Sequence, residues 1–598
     1  MKKHFLKITV LISTCFLTAV LLTGCSKSIP FPHDTVTSPL SLSPSVTSAP
    51  TSSIDPASRS ILPIPTTTPS PIPTPGPDFY RVSGCNIINS VGMPIQLKGI
   101  AMGNMIWGYY DPPANDHNKD SFRELSELGF NCIRFYLSYH FFEKDAEPYV
   151  YKESGFDWLD ENIAWAKKHG IRLILNMHAP QGGYQSQGEG LALWQNEENQ
   201  QRLIALWTEI ARRYAHEETI IGYGLINEPV VPFLSDKEST IAQCTSLMQR
   251  ITDSIRTVDT NHIIFVERLC AMVDPVTGES NWSFTYDDIL TTINDTNAVY
   301  EFHCYSPHKF THQNMDWAGT GGITGTYPSD EVIFSDAISY WTGCVPSYKT
   351  EDLDGGWSYF LSDFATLSKD SNVGSVTLQA SGLGAEGIAL FDDIVVSEYQ
   401  NGTFQRIITT LDFEADQSTD NFNYWSADGS GSYSFATTGY NNSPCLMLSG
   451  TTADANVTGF RFPLEEGCEY QISGKVKTIN AEKNASARPR IDYSLFGTVT
   501  YLDASYLESE LLPYITFGQN NRVPIYLGEF GVCIPAFESN TGAVQWVTDM
   551  LTLCNQYNLH FNYHAYHDYW FGLYRLPTDD PDRKINEELA EVFREMLN

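Results

Sequence analysis

The chain has 598 residues, too many for one ordinary domain, so two or three folded units are expected. Its composition is globular, with 42% apolar and 13% aromatic residues. A formal net charge of −34 argues against nucleic acid or an anionic membrane as partner, and is compatible with neutral polysaccharide or with a well-solvated exterior.

The N-terminus reads as an address. Lys2, Lys3 and Lys7 flank the start of an apolar run that continues to Leu22, the layout of an export signal. The run closes on Leu22-Thr23-Gly24-Cys25, which resembles a bacterial lipobox, so lipidation of Cys25 is expected after removal of the signal (1–25). One lipid site favours holding the protein at the extracellular face of the cell over spanning the membrane. Later in the sequence no stretch is long and apolar enough to cross a bilayer. Residues 26–77 are rich in Ser, Thr and Pro and end in PIPTPGP; such a segment cannot bury a core and reads as an extended spacer.

From 78 onward apolar strands alternate with amphipathic helices. The predicted strands are IQLKGIA, NCIRFYL, IRLILNM, IIGYGLI, HIIFVE and NAVYEFHC. Between them lie helical patterns such as DSFRELSEL, stopped by Gly129, and FDWLDENIAWAKKH, stopped by Gly170. Six such repeats predict a parallel sheet. The pattern breaks near Trp341, and short alternating strands rich in Gly, Ser and Asn run to about Ser494. It then resumes with SYLESELLPYI, VPIYLGEF, AVQWVTDMLTLCNQ, LHFNYHAY and INEELAEVFREML. Eight strands in all predict an α/β fold, a (β/α)8 barrel with residues 78–344 and 499–598 as its two parts and an all-β insert at 345–498 after strand six. Ten cysteines besides Cys15 and Cys25 are scattered without a CxxC pair; Cys445 and Cys468 are one conceivable disulfide, which the sequence leaves open.

In such a barrel the chemistry sits where strands end at the C-terminal face. The polar residues there are Asn104 and Trp107 after strand one, Arg134 in strand two and His178 at the end of strand three. Asn227 and Glu228 follow strand four, His303 and Tyr305 mark strand six, and Glu529 ends strand seven. Two carboxylates from separate strands facing one mouth are what glycoside hydrolysis requires: one ionised to attack the anomeric carbon, one protonated to release the leaving oxygen. A lone Glu at a strand end is more often a solvated rim residue; two, each ending an apolar strand, favour function.

The strings GLINEP around Glu228 and PIYLGEFG around Glu529 resemble glycoside hydrolase family 5, over about 82–310 and 501–574. LKGI with GN, NCIRF, MHAPQGG and HCYSPHKFTHQ extend the resemblance, in order and strand by strand. The resemblance implies Glu228 as acid/base and Glu529 as nucleophile of a retaining hydrolase. It further implies that Asn227 bonds the sugar 2-hydroxyl, that Arg134 and Tyr305 keep Glu529 ionised, and that His178 and His303 line the site. The family usually carries a Trp at the end of strand eight; this chain has His564, Tyr566 and His567 there, with Trp570 slightly later. Histidines three apart are a weak metal signal without further ligands. Trp107, Trp194, Trp317 and Trp570 are candidates for stacking on sugar rings, against packing as the plain alternative.

The two halves of the insert resemble the closing and opening strands of a jelly-roll carbohydrate-binding module, in reversed order, which suggests one circularly permuted module joined at SEYQNGTFQRIITT, with two degenerate half-modules as the alternative. In such modules Glu414 with Asp392 or Asp393 would hold a structural calcium. No cofactor is expected for catalysis. The expectation is thus a monomeric, lipid-anchored endo-β-1,4-glucanase acting on cellulose or mixed β-glucan. A β-mannanase on the same residues is the alternative, and an inactive surface glycan-binding lipoprotein the reading from another class.

Overall fold

The computed structural model describes residues 79–598 apart from 107, 109, 187–189, 275, 278, 279, 282–289, 367–369 and 414–421. The export signal, Cys25, the spacer, Trp107 and Glu414 lie outside the described residues.

Eight parallel strands close into a barrel. They are strand one Lys98–Met102, strand two Cys132–Ser138, strand three Arg172–Ala179, strand four Ile220–Gly224 and strand five Ile263–Glu267. Strand six is Ala298–His303, strand seven Ile525–Phe530 and strand eight His560–Tyr563. Around the ring they follow chain order, and Phe561 paired with Lys98 closes it. Both faces of each strand are covered, one by the barrel interior and one by helices, which is why the strands read as continuous apolar runs. At the N-terminal end, Cys132, Ile174, Ile221, Ile263, Val299 and Tyr526 form a buried layer with Ile87 and Leu97. Ile87 comes from a small antiparallel sheet built from Arg81–Ser83, Asn86–Ile88 and Pro94–Ile95.

The helices start where the sequence supplies caps. Asn118 and Ser121 make a capping box on helix Lys119–Glu127, and the Asn196 side chain accepts from Glu198 N at the start of Glu197–Tyr214. Gly129 and Gly170, both at positive φ, follow the ends of Lys119–Glu127 and Glu153–Lys168.

After strand six the chain leaves the barrel in a long strand, Ser329–Asp352, and returns in Ser486–Leu502, paired antiparallel with it. These paired strands begin before the expected boundary at 344/345 and end after that at 498/499, because antiparallel pairing continues across both positions, through three shifts of register. Beyond them lies an antiparallel unit with a core of its own, including Leu378, Phe391, Val396, Leu448, Val457, Ile472 and Ile491. SEYQNGTFQRIITT forms a hairpin between Ile388–Gln400 and Thr403–Leu411, turning at Asn401-Gly402, both at positive φ. Strands from the two sides of this hairpin interleave. Val373–Ser381 lies between Asp454–Pro463 and Ser486–Leu502, and Ile388–Gln400 pairs with both Cys445–Ser449 and Cys468–Ile479. The insert therefore folds as one unit and not as two halves.

All ten cysteines from Cys85 to Cys554 are free thiols, Cys445 and Cys468 included.

Candidate active site

The strand ends aim a compact set of charged side chains into the barrel mouth. Arg134 and Tyr136 are two residues apart in strand two, so the pleat sends both to the same side. Asn227 and Glu228 continue from strand four, with Asn227 N donating to Met177 O at 3.0 Å. Glu228 adopts φ 41°, a left-handed backbone uncommon outside glycine. His303 is in register with Glu529 across strands six and seven, just after a register shift.

Glu529 is the most heavily supported carboxylate. Arg134 Nη1 donates to its Oε1 at 2.6 Å and Tyr136 Oη to the same oxygen at 2.6 Å. Tyr305 Oη donates to Oε2 at 3.0 Å. Burial by itself would raise the carboxyl, yet the charges of His303 and Arg134 hold it well below the usual carboxylate range. The group is therefore ionised and its lone pairs are held in place, the state an attacking carboxylate needs.

Glu228 is more open, its side chain 19% exposed against 7% for Glu529. His303 Nδ1 lies 2.9 Å from Glu228 Oε1 and 3.6 Å from Glu529 Oε2, so one ring sits between both acids. Burial disfavours a charged ring there, but Glu267 and Glu529 raise the His303 pKa well above its ordinary value. Arg134 Nη2 lies 3.4 Å from His303 Nε2, two cations kept together by the surrounding carboxylates. One carboxylate oxygen of Glu228 and one of Glu529 are within 4.8 Å of each other.

Arg134 Nη2 also donates to Asn227 Oδ1 at 2.9 Å, which orients the amide and leaves its buried Nδ2 without an acceptor among the described residues. A buried donor of this kind calls for a partner, and a sugar hydroxyl supplies one. His178 stacks on Tyr136 with centroids 3.8 Å apart, and burial lowers its pKa well below the ordinary value, so it is a neutral ring. Asn104 is fully buried and donates from Nδ2 to Tyr136 O at 2.9 Å, which makes it a brace between strands one and two.

The tryptophans divide. Trp194 is only 4% exposed and donates its Nε1–H to Gln185 Oε1, so it packs in the core and is not a sugar platform. Trp317 is 58% exposed and lies edge-on to His312, itself beside Tyr305, so it remains placed to meet a ligand. Trp570 is half-buried against the barrel core.

In the insert, Asp392 accepts from Asp393 N, Tyr440 N and Ser443 Oγ, and Asp393 is paired with Lys475.

Three residues of the site escaped the sequence reading, and a fourth, His564, was read only as standing where the family carries a Trp. Tyr136 touches Glu529, and His564 Nδ1 lies 3.1 Å from Tyr136 Oη. Glu267 and Glu301 lie beneath them. The signal was present: Tyr136 is two residues from Arg134, Glu301 is two from His303, and HIIFVE ends on an acid inside an apolar strand.

The family model described as Cellulase (glycosyl hydrolase family 5) matches residues 88–388, half of the chain. The chain belongs to glycosyl hydrolase family 5. Endoglucanase C of Acetivibrio thermocellus is 31% identical over 198 residues, 32% of this chain and 52% of that protein. Cellodextrinase A of Ruminococcus flavefaciens is 28% identical over 245 residues, 40% of this chain and 66% of that protein. The chain thus spans about half the length of the first curated relatives it matches. Endoglucanase Cel5A from the hyperthermophilic Thermotoga maritima is 15% identical, with a TM-score of 0.42 over 83% of this chain and 96% of that one. The family 5 match ends at 388, so strand seven with Glu529 lies beyond it.

Proposed function

We propose that the chain is an endo-β-1,4-glucanase, acting on cellulose or mixed β-glucan by retaining double displacement. The observation that carries the mechanism is the approach of Glu228 and Glu529, with carboxylate oxygens within 4.8 Å. Retaining enzymes place the two carboxyls about 5 Å apart, whereas inverting ones leave roughly 6.5–9.5 Å for a water. Glu529, ionised beside Arg134 and His303, attacks the anomeric carbon as Glu228 gives its proton to the leaving oxygen. Glu228 then takes a proton from water, which releases the sugar from Glu529. Asn227 Nδ2 meets the 2-hydroxyl, a contact that tightens as the oxocarbenium character develops.

The glucan preference rests on the relatives, among them an endoglucanase and a cellodextrinase. The insert serves as a carbohydrate-binding jelly roll in this reading, and Cys25 anchors the enzyme by lipid at the extracellular face of the cell.

The test is reducing-sugar release from β-glucan, carboxymethyl cellulose and mannan by the wild type and by Glu529→Ala. Release from the glucans that falls at least about 1,000-fold in the variant supports the reading. Preferred release from mannan makes the enzyme a mannanase. No release from any of the three by wild type leaves two options, another β-glycan as substrate or a glycan-binding protein.

A further inference from the structure

Two buried carboxylates lie under the catalytic pair, and the double displacement gives them no part. Glu267 ends strand five and Glu301 lies in strand six; each side chain is 1% exposed. Glu267 Oε2 accepts from Glu228 N at 2.9 Å and from Arg134 Nη2 at 3.4 Å. Its Oε1 is 3.4 Å from His303 Nε2 and accepts from Cys270 Sγ at 3.5 Å. Glu301 Oε1 is 2.8 Å from Arg134 Nε, without hydrogen-bond alignment, and 3.6 Å from His303 Nε2. Room for Glu301 is built into strand seven: a Cβ on Gly528 would stand 1.8 Å from Glu301 Oε1, so a larger residue before Glu529 would push the Glu301 carboxylate aside.

The charges in this pocket do not balance if every acid is ionised. Glu228, Glu267, Glu301 and Glu529 face Arg134 and an imidazolium at His303, while His178 is neutral. Unpaired charge in a dry cavity is strongly unfavourable, and a proton is taken up before it is tolerated. A proton belongs on Glu267, which burial pushes up to about 8 against the pull of His303, with the negative charge of Glu301 adding to the rise.

We propose that Glu267 is a positioning residue for the acid/base, holding Glu228 from two sides: directly at its backbone N–H, and through His303 at its carboxyl. The first contact pins the left-handed backbone of Glu228, a conformation that persists only where its surroundings enforce it. The second sets the distance between the proton donor and the imidazole that touches both catalytic acids. Glu267 touches neither substrate nor reacting atoms.

The proposal rests on Glu228 being the acid/base, and the experiment separates the two. It measures kcat/KM, which reports the first displacement, on a cello-oligosaccharide and on an aryl β-cellobioside whose phenol leaves without protonation. Glu267→Met keeps the volume and removes both oxygens. It is expected to lose about 30-fold or more on the oligosaccharide and at most about threefold on the aryl substrate, because only the former needs the acid. Glu267→Gln keeps an acceptor for Glu228 N–H and is expected to restore most of the oligosaccharide rate. Should the Met variant fail to fold, Glu267→Asp, too short to reach Glu228 N–H, carries the same contrast. Equal losses on the two substrates, or a Gln variant as poor as Met, would overturn the role assigned to Glu267. A wild type inactive on both substrates would overturn the glucanase reading beneath it.

Discussion

Tyr136 shows how much a single hydroxyl does in this site. It donates to the Glu529 oxygen that also receives Arg134, while His178 stacks on its ring and His564 approaches its oxygen. A hydrogen bond to a charged group is worth about 1.5–3 kcal/mol, so Tyr136→Phe is expected to lower kcat/KM by about 10- to 100-fold, with a smaller change in KM. It also removes a donor from the ionised form, so the acidic limb of the rate profile should move to higher pH. Stability answers to the same charges. Glu529 has a lowered folded pKa, so its contribution is present above the ordinary carboxylate value of 4.5 and is lost as pH falls through the folded value. Glu267 runs the other way: the folded state holds its proton up to about pH 8, so stability is lost as pH rises from about 5 to about 8. Thermal midpoints across that window should decline in the wild type and decline less in Glu267→Gln, whose amide cannot ionise. An equal decline in both would show that Glu267 does not carry the proton. Arg134, His303, Tyr305 and Asn227 were legible as strand-end residues; Tyr136 and Glu267 were not, because a Tyr or Glu inside an apolar run looks the same whether it braces a nucleophile or caps a core.

At the scale of elements, the barrel rests on local signals that agree with one another. Each strand is an apolar run, several helices begin on a side-chain cap, and glycines at positive φ follow two of their ends. Helix Glu197–Tyr214 gives a clean test, since the Asn196 side chain accepts Glu198 N and makes no hydrogen bond to Glu228 or Glu529. Asn196→Ala should cost about 1 kcal/mol and lower the melting midpoint by roughly 2–4 °C, with kcat/KM unchanged. A drop in activity without a drop in stability would contradict that assignment. Strand seven carries a demand no propensity scale records. Gly528 is needed for the close approach of Glu301 from the neighbouring strand, not for a turn. Trp194 illustrates the reverse error: a Trp in a loop-like stretch reads as a sugar platform, yet a short helix, Leu191–Gln195, buries it with its N–H satisfied.

In the whole molecule, the insert and the barrel keep separate cores joined by the paired strands Ser329–Asp352 and Ser486–Leu502. Replacing 329–502 by a short loop should therefore leave hydrolysis of a soluble oligosaccharide within about threefold, since loop tips tolerate whole domains. If the insert grips glycan, retention on insoluble cellulose should fall in the same variant; unchanged retention would make the insert a brace. The sequence by itself determined the eight-strand barrel, its interruption after strand six and the two glutamates, one following strand four and one within strand seven, because these follow from short-range periodicity and from residue chemistry near strand ends. Only the tertiary structure decided that strands from both halves of the insert interleave, that Trp194 is core, and that Glu267 and Glu301 share a pocket with Arg134 and His303. Those facts depend on which distant strands become neighbours when the ring closes, and Arg134 meets Glu529 across 395 positions of chain. Separation on that scale leaves no trace in local pattern; it is set by the closure of the barrel.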